Sequence, residues 1–261
     1  MPATVSAQIE EFYNVGYLLI PNVYRVELMS EIKTEFYERE ADFVEIQKKQ
    51  GIYESVVDAT HHTFILCRKM LMLLEKSRLT DFIDEFFQGE SYILNTMGLS
   101  KIRPFSQVYT QNIHRDIRSF HGSTSLWINT LIMLDDSTAD NGATWVMPGS
   151  EELEKKPSES DFWASAKQIE GRCGDVLIFH GGLWHCAGQN KTNDTRHIIT
   201  PFFSRPFIKQ QLDYPKAFGD DFGRICSPHI RQMLGYNARV PITLEDFYQH
   251  DDHRFYKKNQ G

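Results

Sequence analysis

The chain lacks most of what would mark a secreted scaffold, a membrane protein or a nucleic-acid binder. Its 261 residues include only four cysteines, Cys67, Cys173, Cys186 and Cys226, with no CxxC spacing. That pattern argues against a disulfide framework or a thiolate metal site and reads as free thiols in a reducing compartment, so a cytoplasmic location is expected. No apolar run approaches the ~20 residues that span a bilayer. The segment Met1–Ala7 has neither a basic stretch nor an apolar core, so no signal peptide is expected. Acidic residues outnumber basic ones, 35 to 28, giving a net charge of −7 with no basic block. Phosphate recognition needs clustered Lys and Arg, so nucleic acid is not an expected partner. Repeats, linkers and low-complexity tracts are also missing. With 41% hydrophobic residues, the chain reads as one globular domain over 1–261.

What is present divides into three stretches. Residues 8–90 are helical by pattern. In 27–40, Leu28, Ile32 and Phe36 recur at the four-residue interval of an amphipathic helix, and 63–87 is a second helical stretch. From 91 to 207 the texture changes to short apolar or alternating runs between turn residues. Strands are expected at 92–97, 106–112, 126–134, 144–147, 176–179 and 197–203. Helix and loop return over 208–261, where Ser227-Pro228 reads as a cap followed by a first-turn proline and Thr243–Asp246 as a capping box. The fold class expected is mainly β with flanking helices, built on a double-stranded β-helix (a cupin-like jelly roll).

The chemistry concentrates in His114-Arg115-Asp116, in His185, 71 residues beyond His114, and in Arg196, 11 residues further on. On an extended strand, residues i and i+2 share a face, so His114 and Asp116 can bind one metal while Arg115 points away. Two imidazoles and a carboxylate are the open-sided donor set of a ferrous site that leaves positions for a chelating co-substrate and O2. Arg196 is a natural clamp for a planar carboxylate, because its fork donates two parallel hydrogen bonds.

Together with Leu134-Asp135-Asp136, the run Asn141–Ser150, Gly174-Asp175 and the opening Ile9–Pro21, these residues resemble the phytanoyl-CoA dioxygenase family of iron(II)/2-oxoglutarate oxygenases over roughly residues 8–206. The resemblance implies Fe(II) held by His114, Asp116 and His185, with 2-oxoglutarate and O2 as co-substrates. It implies oxidation of a small molecule, a secondary metabolite or small polar acid, with release of succinate and CO2. It also implies that Arg196, Gln111 and Thr144 contact 2-oxoglutarate. Retention of the carboxylate at Asp116 argues against direct halogenation, for which related enzymes place a small residue there. Two positions depart from the pattern. Glu151 stands where the family usually has histidine, and Leu131 where many members have Trp.

His61 and His62, in the loop before residue 63, are candidate substrate contacts at the barrel mouth, and Phe105 and Trp145 are candidates for the pocket wall. His121 and His180 read as loop or supporting residues. His197, His229, His250 and His253 are expected to face solvent, and Cys186 to be a packing residue. A metal-holding jelly roll without catalysis, or a protein hydroxylase of the same fold, are the alternatives. The intact donor set and Arg196 speak against the first, the acidic charge and absence of a basic stripe against the second.

Overall fold

The computed structural model describes residues 4–117, 119, 120, 122 and 124–254. His121 lies outside the described residues.

Two antiparallel sheets organise the chain. The larger has strand order β1-β7-β4-β9-β3-β2, formed by Tyr17–Ile20 (β1), Ala59–Thr60 (β2), Ile93–Ile102 (β3), Trp127–Met133 (β4), Val176–His180 (β7) and Arg196–Ser204 (β9). The smaller has order β6-β5-β8, from Thr144–Val146 (β5), Lys167–Ile169 (β6) and His185–Cys186 (β8). This is the double-stranded β-helix arrangement expected from the sequence.

Side chains alternate across the large sheet. On one face, Ile128, Ile132, Val176, Ile178, Ile199 and Phe203 join the main core with the helices. On the other, Leu131, Met133, Leu177, Phe179 and Ile198 meet Val146 of the smaller sheet and Leu183 of the turn that leads into it. That second core is small, and it leaves room for a cavity between the sheets. β7 is buried along its whole length, which is why its sequence is a continuous apolar run with no alternation.

The helices that back the large sheet are Val5–Val15 (α1), Val26–Lys49 (α2), the short Tyr53–Val56 (α3) and Arg78–Phe86 (α4). α2 buries Met29, Ile32 and Phe36. Its first-turn Glu27 and terminal Lys48 and Lys49 complement the helix dipole. Phe12 of α1 packs edge-on against Phe82 and Phe86 of α4, with ring centroids 5.5 and 5.7 Å away. Glu159–Ser165 (α5) covers the smaller sheet through Phe162. The C-terminal helices are Tyr214–Phe218 (α6), Asp220–Ile225 (α7), Pro228–Met233 (α8) and Leu244–Phe247 (α9). Ser227 caps α8 and Thr243 forms the capping box of α9, both as the sequence indicates. Among the described residues no helix is long and apolar enough to cross a membrane.

Several expectations need correction. The stretch 106–112 is not a strand but loop with a 3-10 turn at Tyr109–Gln111. Its side chains turn back on their own backbone, the Gln111 carboxamide oxygen accepting from Val108 N. Residues 63–87 are not one helix. They break into 3-10 turns, and Ser77 then caps α4 in a capping box with Thr80. His197 is not solvent-facing: it is buried, donating its backbone N–H to Asp135 and holding Asp135 and Tyr37 with its ring. His229 is half-buried against Leu74 O, whereas His250 and His253 are exposed. Cys186 is buried in packing against Phe162 and Trp184.

Candidate metal centre

His114 and His185 face each other across an antiparallel bridge, exchanging both backbone hydrogen bonds at 3.0 and 2.9 Å. In such a pair the two side chains project to the same side. Asp116, two residues on, returns to that side, and so three ligands spread over 71 residues of chain converge. Their donor atoms lie within 4.8 Å of one another and could hold one metal ion. The Asp116 oxygens sit 3.6 Å from each histidine Nε2. Gly181 lets the segment after Asp116 pass this close, because a Cβ there would stand 2.4 Å from Ile117 Cδ1.

Each imidazole is oriented by its own backbone. The His114 Nδ1 is 2.7 Å from Asn112 O and the His185 Nδ1 is 2.9 Å from Leu183 O. A carbonyl only accepts, so both Nδ1 atoms carry the proton and both Nε2 lone pairs point inward, which is the tautomer a metal needs. Burial pushes the His185 imidazole down to about 4, with Asp116 opposing and His114 assisting, so it is neutral and ligand-competent at physiological pH. Asn129, fully buried on β4, donates from Nδ2 to Asp116 Oδ2 at 2.6 Å. Loss of an outer partner of this kind costs about 10- to 100-fold in metal affinity. Asn129→Ala is therefore expected to weaken metal binding by that factor without displacing His114 or His185, as checked by calorimetric titration with Fe(II) or Mn(II).

The triad opens into a cavity of about 330 Å³, at the small end of ligand pockets. Leu131, Phe179, Ile198 and Phe202 give it an apolar wall, and Thr96, Ser100, Thr110 and Thr200 line it with hydroxyls. Thr144 and His61 also line it. Leu131, where many family members have Trp, is a wall residue.

Arg196 opens β9 on the same strand face as Ile198, Thr200 and Phe202. It is only 1% exposed and does not line the cavity. Its Nε donates to Asn141 O at 3.1 Å, Nη1 to Ser137 Oγ at 3.1 Å and Nη2 to Gly142 O at 2.6 Å. Gly142, at φ +89°, aims that carbonyl by a backbone conformation side chains resist, and a Cβ there would lie 2.6 Å from Gly188 O. No carboxylate pairs with Arg196 among the described residues. Burial lowers its pKa to about 10, against the opposing pull of Asp135.

Behind Arg196, Asp135 accepts from Lys33 Nζ and His197 Nδ1, both at 2.6 Å. Burial would raise its carboxyl, but the hydrogen bonds from His197 and Lys33 outweigh that and hold it at about 2. A depressed carboxylate stabilises the fold above its unfolded pKa and ceases to do so as pH falls from about 4 to about 2. The shift corresponds to about 2 kcal/mol. Asp135→Asn should lose that amount at pH 7 in urea unfolding, and the gap from the wild type should close over the same acid window.

Besides Arg196, four other side chains marked out from sequence are not at the cavity. Gln111 is tied to Val108 N and Ser106 O and faces an outer groove. Trp145, next to inward Thr144, points to the opposite side of β5 into that groove. Phe105 is 64% exposed at a positive-φ turn. His62, at φ +53°, turns from the cavity to Tyr214 Oη at 3.0 Å. Asn129 and the threonines of the wall were not marked out, although strand alternation places Asn129 beside Leu131 and Thr200 beside Ile198. Buried His180 accepts from Gly182 N, next to Glu151. Glu151 is itself buried, and burial raises its carboxyl.

Comparison with known proteins gives consistent results. The chain is 28% identical over 267 residues to Rv1501 of Mycobacterium tuberculosis, covering 97% of this chain and 95% of that protein. It is 28% identical over 160 residues to the iron/alpha-ketoglutarate-dependent dioxygenase ausU of Aspergillus calidoustus, covering 58% of this chain and 52% of that one. Among solved structures, the epimerase SnoN in complex with Fe3+, alpha ketoglutarate and nogalamycin RO superposes with a TM-score of 0.62 at 17% identity, covering 78% of this chain and 84% of that one, a likeness of fold. The model of the phytanoyl-CoA dioxygenase (PhyH) family matches residues 12–198, so the chain belongs to that family.

Proposed function

We infer that the chain is an iron(II)- and 2-oxoglutarate-dependent oxygenase acting on a small molecule. The observation that carries this reading is the convergence of His114, Asp116 and His185, with both Nε2 lone pairs turned inward, on a cavity between the two sheets. The donor set fits ferrous iron, which would supply O2 activation coupled to decarboxylation of 2-oxoglutarate to succinate and CO2. The residues of this chain do the rest. His114, Asp116 and His185 hold the ion on one side. Leu131, Phe179 and Phe202 keep water from the reacting region. Thr144 and Arg196 are the co-substrate contacts in this reading. A fully buried guanidinium without a carboxylate hydrogen-bonded to it is costly, and among the described residues Arg196 has two N–H groups uncommitted after its three hydrogen bonds. A dicarboxylate supplies the missing anion. His61 and the wall hydroxyls are the substrate contacts proposed, for a hydroxylated or otherwise polar molecule.

The kinship to ausU and the fold shared with the SnoN complex support the same cofactors. Anaerobic titration tests the reading. A weak visible absorption band is expected only when Fe(II) and 2-oxoglutarate are both present, followed by succinate release on admitting O2 with a substrate from a metabolite library. Metal binding with no response to 2-oxoglutarate would return the chain to a non-catalytic metal-holding module.

A further inference from the structure

The ligand-bearing segments have a second side. Along 109–116, Thr110, His114 and Asp116 face the metal cavity, whereas Gln111 and Asn112 face an open groove of about 830 Å³. Tyr109 and Ala187 border both spaces. We propose that this groove is a subsite for the part of the substrate remote from the reacting carbon, and that this part is a neutral, hydroxyl-rich ring such as a glycosyl group. The inference rests on the oxygenase reading for the word substrate; the binding itself does not.

Three features select that chemistry. The first is an aromatic platform. Trp163 on α5 leaves 50% of its surface exposed, while its ring is fixed edge-on against Trp145 (5.5 Å, 84°) and Phe162 (5.0 Å, 86°). A rigid indole presents a flat, electron-rich apolar surface, which suits the polarised C–H face of a sugar ring and loses little entropy on binding. The second is the amide fringe of Gln111, Asn112, Gln168 and Gln189. Gln111 and Gln168 have their amide nitrogens committed to backbone carbonyls but keep carboxamide oxygens that can accept, and Asn112 has one N–H left after donating to Tyr109 O, a mixture that matches hydroxyls, which both donate and accept. Gln168 is held in place by Nε2 donation to Ala143 O at 3.1 Å. The third is charge. Among the described residues, the charged ones lining the groove are Asp140 and Lys191, of opposite sign and joined through their backbones at 2.7 Å. A phosphorylated or CoA-linked tail would find no cationic cluster there. A purely apolar polycycle would cover the remaining carboxamide oxygens and the free Asn112 N–H without pairing them, at about 1–3 kcal/mol each.

The test uses the whole metal-free protein and saturation-transfer NMR with methyl β-D-glucopyranoside, methyl α-L-rhamnopyranoside and cellobiose. Transfer to ring protons is expected for at least one of them, with affinity reduced about 5-fold or more in Trp163→Ala, the low end for deleting a stacking aromatic. Trp163→Phe should recover part of it, and His114→Ala should leave it unchanged. Circular dichroism and the unfolding midpoint establish that the variants are folded. Absence of transfer from all three sugars, transfer indifferent to Trp163→Ala, or transfer only to a mixture of short peptides would each overturn the proposal. Sugar binding by a protein whose Fe(II)-loaded form gives no response to 2-oxoglutarate would instead sink the oxygenase reading and leave the subsite standing.

Discussion

Asp116→Ala is expected to abolish metal binding and turnover together while leaving the fold intact. The reasoning starts from charge. His185 is neutral by burial, so Asp116 is the only negative charge in the triad that faces a divalent cation. Taking it away leaves two neutral imidazoles in a partly apolar cavity, which cannot compensate the ion's lost hydration. Even an outer partner such as Asn129 is worth about 10- to 100-fold in affinity, so loss of a ligand itself should exceed 100-fold. Asp116→Asn separates charge from shape: it preserves the volume and an acceptor for Asn129 Nδ2, and it should still fail to bind metal. Among the described residues the Asp116 side chain has one hydrogen bond, from buried Asn129, so the stability cost is that of leaving this amide unpaired, about 1–3 kcal/mol. Calorimetric titration with Fe(II), alongside thermal unfolding, checks both halves. A variant that binds iron as tightly as the wild type would remove Asp116 from the coordination sphere.

The metal centre was legible in the sequence because it depends on a local rule and a topological one. The local rule is that residues two apart share a face, which pairs His114 with Asp116. The topological rule is that β8 runs antiparallel to the segment that carries them, which sets His185 opposite His114. The apolar strands were legible for a similar reason, since β4, β7 and β9 each carry an unbroken or alternating run. Hydrophobicity says nothing, however, about where a polar residue finds its partner. His197 looked like a surface histidine because it sits in a polar stretch, yet Asp135, 62 residues away, and Tyr37, 160 residues away, pull it inside. Gln111 was placed at the co-substrate by the family resemblance and Trp145 at the pocket wall as an aromatic on a strand, and the backbone decided otherwise. The 3-10 turn at Tyr109–Gln111 directs Gln111 outward, and alternation on β5 sends Trp145 to the face opposite Thr144. β2 and β8, of two residues each, are too short to leave a periodic trace.

Arg196 is where position and role diverge most, and its substitution separates them. In the structure it is a tie: three hydrogen bonds fasten Ser137, Asn141 and Gly142, the loop that delivers β5 and Thr144 to the cavity wall. Arg196→Ala would strand the Asn141 carbonyl and the Ser137 hydroxyl, at about 1–3 kcal/mol each, while Gly142 O keeps its bond from Gly188 N, and such a loss would disturb the cavity wall indirectly. Arg196→Lys is the sharper probe. Lysine keeps a positive charge and can retain one or two of the ties, but it has no planar fork with which to grip a carboxylate at two points. A charge-assisted hydrogen bond contributes about 1.5–3 kcal/mol, which converts to roughly 10- to 100-fold in co-substrate affinity. The expected outcome for Arg196→Lys is thus a rise of that size in the 2-oxoglutarate concentration needed for half-saturation, with Fe(II) affinity unchanged and a lowered unfolding midpoint. If the midpoint falls while 2-oxoglutarate binds as before, Arg196 is a structural tie alone, and the anion that balances its buried charge must be sought elsewhere.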